Sequence, residues 1–309
     1  MVEVYRHIHE LIGSTPMLEL TAFPLPRRVR LFAKLEYTNP GGSIKDRLGV
    51  KLLKEAIATG KITPKGTLIE PTAGNTGIAL ALAAIGTDVK VICVVPKAFS
   101  VEKQQLMRAL GAVIVHTPSE CGMKGAIAKA KALEQELDDA YCPQQFSNKA
   151  NPLTYYETLG PEMVHQLDGK IDVFVAGAGT GGTFSGTAAY LKEVIPGIRT
   201  VVVEPEGSIL NGGEPGPHRT EGIGMEFIPD FVDTSLFEAI YTISDNQAFK
   251  RTRELAEHQG VLVGSSSGAA LEAALREAEM ADEGAHIVTV FPDGAERYLS
   301  KGIYEEEPL

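Results

Sequence analysis

The hydrophobic pattern along this chain switches repeatedly between two periods. Short apolar, β-branched runs predict strands at Leu31–Glu36, Thr67–Glu70, Lys90–Val95, Ala112–His116, Val173–Ala176, Thr200–Glu204, Val261–Val263 and His286–Phe291. Between them, helical spacing or runs of small residues predict helices from Ser43 to near Gly60, then Gly77–Ala84, Glu102–Leu110, Gly122–Leu137, Asn151–Gln166, Gly182–Glu193, Asn246–His258 and Gly268–Ala281. Pro71 and Pro96 stop strands, and Gly111 closes a helix. Strand and helix alternating across short joints predict mainly parallel α/β sheets.

The alternation breaks at Cys142–Pro152, which is rich in Pro, Gln and Asn, and then restarts. We therefore expect two open α/β domains, each with helices on both faces of its sheet, divided near residue 150. In such sheets ligands bind outside the carboxyl ends of the strands, so both domains are expected to contribute to one cleft. A long irregular stretch, Pro205–Phe231, is of the length that tends to serve function.

Composition narrows the partners. The chain has 309 residues, with 29 Lys and Arg against 40 Asp and Glu, a formal charge of −11. That balance argues against nucleic acid or an anionic membrane surface as partner. No run of about twenty apolar residues marks a membrane span, and no signal peptide is evident. Cys93, Cys121 and Cys142 are widely spaced and odd in number, which fits a reducing cytoplasm rather than a disulfide framework or zinc site.

The candidate chemistry centres on Asn39–Arg47, which reads Asn-Pro-Gly-Gly-Ser-Ile-Lys-Asp-Arg. Pro40, Gly41 and Gly42 force a turn, and Ser43 with Asp46 forms a Ser-x-x-Asp capping pattern. Lys45 is thus expected in the first turn of a helix, where the macrodipole disfavours an ammonium and helps the side chain act as a neutral amine. Such an amine can form a Schiff base with a carbonyl, although a solvated helix-start lysine would give the same local pattern.

Three further loops each follow a strand. Glu70–Gly77 offers backbone N–H groups, two threonine hydroxyls and an amide, suited to holding a carboxylate without a cation. Gly177–Thr183 has four glycines in its first six residues, which lets backbone approach a phosphate closely. Gly264-Ser265-Ser266-Ser267-Gly268 could present a hydroxyl to a ring nitrogen, or simply cap the helix expected near Gly268. The glycine loop also matches Gly-x-Gly-x-x-Gly at 177, 179 and 182, and Glu204 ends the next strand, so an NAD-dependent dehydrogenase is a rival reading. A nicotinamide dinucleotide leaves Lys45 unexplained. A phosphate, a carbonyl and a ring nitrogen together describe pyridoxal phosphate.

With these motifs in order, from Ile12-Gly13-Ser14-Thr15-Pro16 to Pro292-Asp293-Gly294-Ala295-Glu296-Arg297-Tyr298, the chain resembles the cysteine synthase/cystathionine β-synthase family of pyridoxal-phosphate enzymes, the fold-type II or tryptophan-synthase-β-like group. The resemblance implies a segment 1–35 packed on the C-terminal domain, a smaller mobile domain 36–150, and a domain 151–309 that binds the cofactor phosphate. Lys45 would form the Schiff base, Asn75 would bond the cofactor's 3′ oxygen, and Gly179, Thr180, Gly181, Gly182 and Thr183 would hold its phosphate. Ser266 would face the pyridine nitrogen. Thr72, Ala73, Gly74, Asn75, Thr76 and Gln145 would grip the substrate carboxylate, with Gly222 near the substrate mouth. No metal and no haem is implied.

Ala73 departs from the Thr-Ser-Gly-Asn-Thr usual in cysteine synthases; together with Phe291-Pro292-Asp293 and Tyr298-Leu299-Ser300-Lys301 it is similar to bacterial cystathionine-forming members that use O-acetylserine. The implied activity is β-replacement on O-acetyl-L-serine or L-serine by a thiol. Homocysteine would give cystathionine and sulfide would give cysteine. The family implies a cytoplasmic homodimer acting on small molecules.

Overall fold

The computed structural model describes residues 4–72 and 74–305. In chain order its elements are β1 (Met17–Glu19), β2 (Arg30–Leu35), α1 (Lys45–Ala58), β3 (Thr67–Pro71), α2 (Asn75–Ala84), β4 (Lys90–Pro96), α3 (Val101–Ala109), β5 (Val113–Thr117), α4 (Gly122–Glu136) and β6 (Ala140–Tyr141). They continue with α5 (Ala150–Glu157), α6 (Leu159–Gln166), β7 (Val173–Gly177), α7 (Gly182–Val194), β8 (Arg199–Pro205), β9 (Ala239–Ile243), α8 (Asp245–Gln259), α9 (Ser265–Met280) and β10 (His286–Phe291).

The chain divides into two compact units. One comprises the stretch ending at Ile12 and Asn39–Asn151; the other comprises Gly13–Thr38 and the chain from Pro152 onward. Among the described residues, the first unit holds a four-stranded sheet in the order β5-β4-β3-β6. All of its pairs are parallel, with Thr67 opposite Lys90 and Leu68 opposite Tyr141. Strand alternation explains its two covered faces. Ile69, Ile92, Val94 and Val115 cluster with Ala126, Ala130 and Leu133 of α4. The alternate residues Leu68, Val91, Cys93 and Val95 are equally buried, with α2 packed on β4 and α1 packed on α2.

The second unit holds a six-stranded sheet, β1-β2-β10-β7-β8-β9, parallel except for the β1–β2 pair. Val173, Val175, Val201 and Val203 join Ala269, Ala273 and Ala274 of α9 in one core. Phe174, pointing to the opposite face, stacks on Phe184 of α7 with ring centroids 5.8 Å apart. Each unit is thus a sheet between helices, the α/β class expected of the sequence.

Several predicted elements are corrected. Residues 151–166 form two helices, not one. Pro161 lacks the N–H that a continuous helix would donate to residue 157, and the chain breaks at Thr158 (φ −124°, ψ −62°). The predicted strand Val261–Val263 is a single bridge, Val263 to Gly294. Strands β1, β6 and β9 were not predicted. The first two are of three and two residues, and β9 is an edge strand with no clean burial alternation to read. The helix expected from Gly268 begins at Ser265.

Candidate active site

In the first unit, Lys45 opens α1, one residue after Ile44 and two after the predicted Ser43 start. The Ser43–Asp46 pair does not form a capping box. Ser43 Oγ accepts from Lys45 N at 3.2 Å, and Asp46 Oδ2 accepts from Gly41 N at 2.5 Å. The carboxylate thus closes the Gly-Gly turn instead of capping the helix. A Cβ on Gly41 would meet the Asp46 carboxylate, so a side chain there would displace the group that closes the turn leading to Lys45.

The same unit gathers the carboxylate candidates at the carboxyl ends of β3 and β6. Asn75 is the first residue of α2, so first-turn amides face outward from its N-terminus. Thr72 Oγ1 accepts from Gly74 N at 3.1 Å, which leaves the threonine proton to donate. Thr76 donates its hydroxyl to Gln145 Oε1 at 2.7 Å, across 69 residues of sequence. That bond orients the amide, so Gln145 Nε2 is its remaining donor, 3.4 Å from Pro71 O. Thr72, Thr76 and Gln145 are buried. The arrangement offers neutral donors, which suits an anionic group. Ala73, also predicted for this loop, lies outside the described residues.

In the second unit, the glycine loop runs from β7 into α7. Gly181 takes the left-handed conformation (φ +82°) as the residue before α7 and, being glycine, brings no side chain to the helix start. Thr180 Oγ1 accepts from Gly182 N at 3.4 Å. A Cβ on Gly179 would collide with the carbonyl oxygen of Gly222, itself at φ +88°. Gly224 N donates to Ala178 O at 2.9 Å, tying the two loops together. Gly179, Thr180, Gly181, Gly182, Thr183 and Gly222 are therefore neighbours around one helix N-terminus, a cradle of backbone amides and hydroxyls that fits a phosphate.

Ser266 is buried in the first turn of α9, and its Oγ lies 3.8 Å from where a Gly222 Cβ would be. The structure does not use these serines as an N-cap: Gly264 precedes the helix and no side-chain cap bond forms. Instead Ser265 Oγ accepts from Glu221 N at 3.2 Å, docking the 221–224 stretch on α9. Ser266 is left in a shielded position with a neutral hydroxyl.

Two sets of bonds have no signal in the sequence. Asp293 and Tyr298 are buried and hydrogen-bonded to each other, and Gly264 N donates to Asp293 O at 3.1 Å, so the turn after β10 fixes the start of α9. Glu204, which kept the dinucleotide rival alive, is buried. Its oxygens accept from Leu210 N at 2.8 Å, Asn211 N at 3.1 Å and Thr242 Oγ1 at 3.0 Å. A carboxylate so engaged holds its own loop and is not presented to a ribose.

Comparison with known proteins gives the family. Residues 8–293 match the family described as pyridoxal-phosphate dependent enzyme. The chain is 60% identical over 302 residues to the O-acetylserine dependent cystathionine beta-synthase of Bacillus subtilis, covering 98% of each. It is 58% identical over 299 residues to a cysteine synthase of Helicobacter pylori, covering 96% of this chain and 98% of that one. The crystal structure of the O-acetylserine dependent cystathionine beta-synthase from Helicobacter pylori superposes with a TM-score of 0.94 at 56% identity, covering 98% of this chain and all of that one.

Proposed function

The chain belongs to the pyridoxal-phosphate dependent enzyme family, and from that premise we propose that it catalyses β-replacement on O-acetyl-L-serine by a thiol, with homocysteine preferred and L-cystathionine formed. Near-full-length likeness to the O-acetylserine dependent enzyme of B. subtilis carries the proposal. Cysteine synthesis from sulfide is the second reading, favoured by the cysteine synthase of H. pylori at similar identity.

Lys45 Nζ is the atom we assign to the covalent link with the cofactor, and 179–183 are the residues we assign to its phosphate. Asn75 would bond its 3′ oxygen. When bound, pyridoxal phosphate supplies an electron sink for negative charge at the substrate α-carbon. The protein's own work is binding and proton transfer. Thr72, Gly74, Asn75, Thr76 and Gln145 hold the amino acid's carboxylate through neutral donors, orienting its α-hydrogen. Lys45 Nζ takes that proton as general base and returns it after the thiol has added. At the β-carbon the C–O bond to acetate breaks and a C–S bond forms; the thiol proton leaves with acetate as acetic acid. Ser266 places a neutral hydroxyl, not a carboxylate, where we assign the ring nitrogen. That choice limits charge build-up on the ring and favours elimination over transamination.

We place the activity in a cytoplasmic homodimer; Cys93, Cys121 and Cys142 are all free thiols, in keeping with a reducing compartment. Among the described residues no helix is long and apolar enough to cross a membrane.

Product identification tests the proposal. O-acetylserine is supplied with homocysteine and sulfide in competition, and the products are resolved by mass spectrometry. Cystathionine should predominate. Cysteine alone would reverse the thiol preference, and no product from either thiol would overturn β-replacement itself.

A further inference from the structure

We propose that Glu70 is a positioning residue: its carboxylate clamps the Gln144–Gln145 turn and so aims the Gln145 amide at the substrate carboxylate. The inference rests on the reading above, in which Gln145 is one of the groups that grip that carboxylate.

Glu70 is fully buried near the carboxyl end of β3. Sheet order places β6 beside β3, so the chain leaving β6 passes over the end of its neighbour. There Gln144 N donates to Glu70 Oε2 and Gln145 N donates to Glu70 Oε1, each at 3.1 Å. Two successive amides on two oxygens of one carboxylate form a fork that fixes both the position and the tilt of the turn. The turn needs fixing, because Gln144 sits at φ +56°, a conformation that non-glycine residues seldom adopt.

Everything downstream of that fork bears on Gln145. Its carbonyl accepts from Asn151 Nδ2 at 2.8 Å, and its side-chain oxygen accepts from Thr76. Thus the residue before Pro71 and Thr72 reaches across to the turn that completes the same donor set. A buried carboxylate is costly to desolvate, and here the two amides it accepts from offset that cost; an apolar residue would leave both without this acceptor. The titratable groups around Glu70 are Cys93, its partner across the β3–β4 pair, and Tyr141 and Cys142 on the β6 side. Burial pushes the Glu70 carboxyl up to about 8, against the lowering effect of the two amides. Its grip is therefore best read above that value.

Steady-state kinetics of Glu70→Gln at pH 8.5 test the assignment. The amide keeps the shape but presents an NH2 to one of the two backbone N–H donors. The KM for O-acetylserine should rise about tenfold, roughly the 1.4 kcal/mol of one charge-assisted bond. The kcat, the thiol KM and the visible spectrum of the bound cofactor should stay within twofold of wild type. An unchanged KM for O-acetylserine, or an equal fall in kcat and in cofactor binding, would overturn the positioning role. If wild type itself fails to turn over O-acetylserine with any thiol, the functional reading fails instead. Should the variant not fold, amide hydrogen exchange in wild type decides the matter. Corrected for intrinsic rate, the Gln144 and Gln145 amides should be strongly protected at about pH 8.5, and exchange as fast as an open turn would refute the clamp.

Discussion

Gly49 of α1 lies directly against the backbone of Ala79 in α2: a Cβ on Gly49 would sit 2.5 Å from the carbonyl carbon and oxygen of Ala79. The two helices approach so closely because that Cβ is missing. Lys45 opens one of them and Asn75 opens the other, so this contact sets the spacing of two candidate active-site residues.

Replacing Gly49 with Ala should therefore force the helices apart. We expect a loss of about 1–3 kcal/mol in stability, the usual cost of overpacking a tight core. Urea unfolding measures the first effect. Turnover of the folded variant under native conditions should also fall, and wild-type values for both would show that the contact yields easily.

Lys45→Ala should abolish turnover and the covalent cofactor link. Borohydride reduction of wild type followed by peptide mass spectrometry should place the modification on residue 45. A modified lysine elsewhere would remove the central assignment.

Gly179→Ala should weaken cofactor retention at least about tenfold, about 1.4 kcal/mol, because the new methyl group meets the Gly222 carbonyl oxygen. Visible absorbance after dialysis against cofactor-free buffer reports it. Retention equal to wild type would mean that the 222–224 stretch can move aside.

Glu70 also predicts how stability follows pH. Unfolded, its carboxyl ionises near the ordinary 4.5; folded, burial holds the proton to about 8. Between those values the folded state binds more protons than the unfolded state. Stability should accordingly fall as pH rises from about 5 to 8 and level off above it, as far as this group is concerned. The neighbouring thiols do not titrate in this window, since burial pushes Cys93 up to about 12 and raises Cys142 as well. Urea midpoints for wild type and Glu70→Gln from about pH 5.5 to about pH 8.5 isolate the contribution. The difference between them should change with pH in that sense, and parallel profiles would show that Glu70 keeps an ordinary ionisation.

The α/β class, most helices and strands, and the candidate residues at strand ends follow from the residue pattern alone. Those features are local. Side-chain period records burial, and Gly, Pro and Asn record backbone conformation, so Lys45, the 72–76 loop and the glycine loop at 177–183 are legible without a fold. What these residues touch depends on contacts distant in the chain. Ser43 and Asp46 looked like a capping box, yet Asp46 turns back to Gly41 N. The serines at 265–267 looked like a cap, yet they lie inside the first turn of α9 because the preceding residue, Gly264, is held by Asp293. Glu204, by its place after the glycine loop, allows a dinucleotide reading, yet its oxygens are taken by Leu210, Asn211 and Thr242. Nothing in the pattern could pair Glu70 with Gln144 or Thr76 with Gln145. Those bonds exist because the sheet orders β6 next to β3, and strand order is settled by packing between segments some seventy residues apart, on which local periodicity is silent.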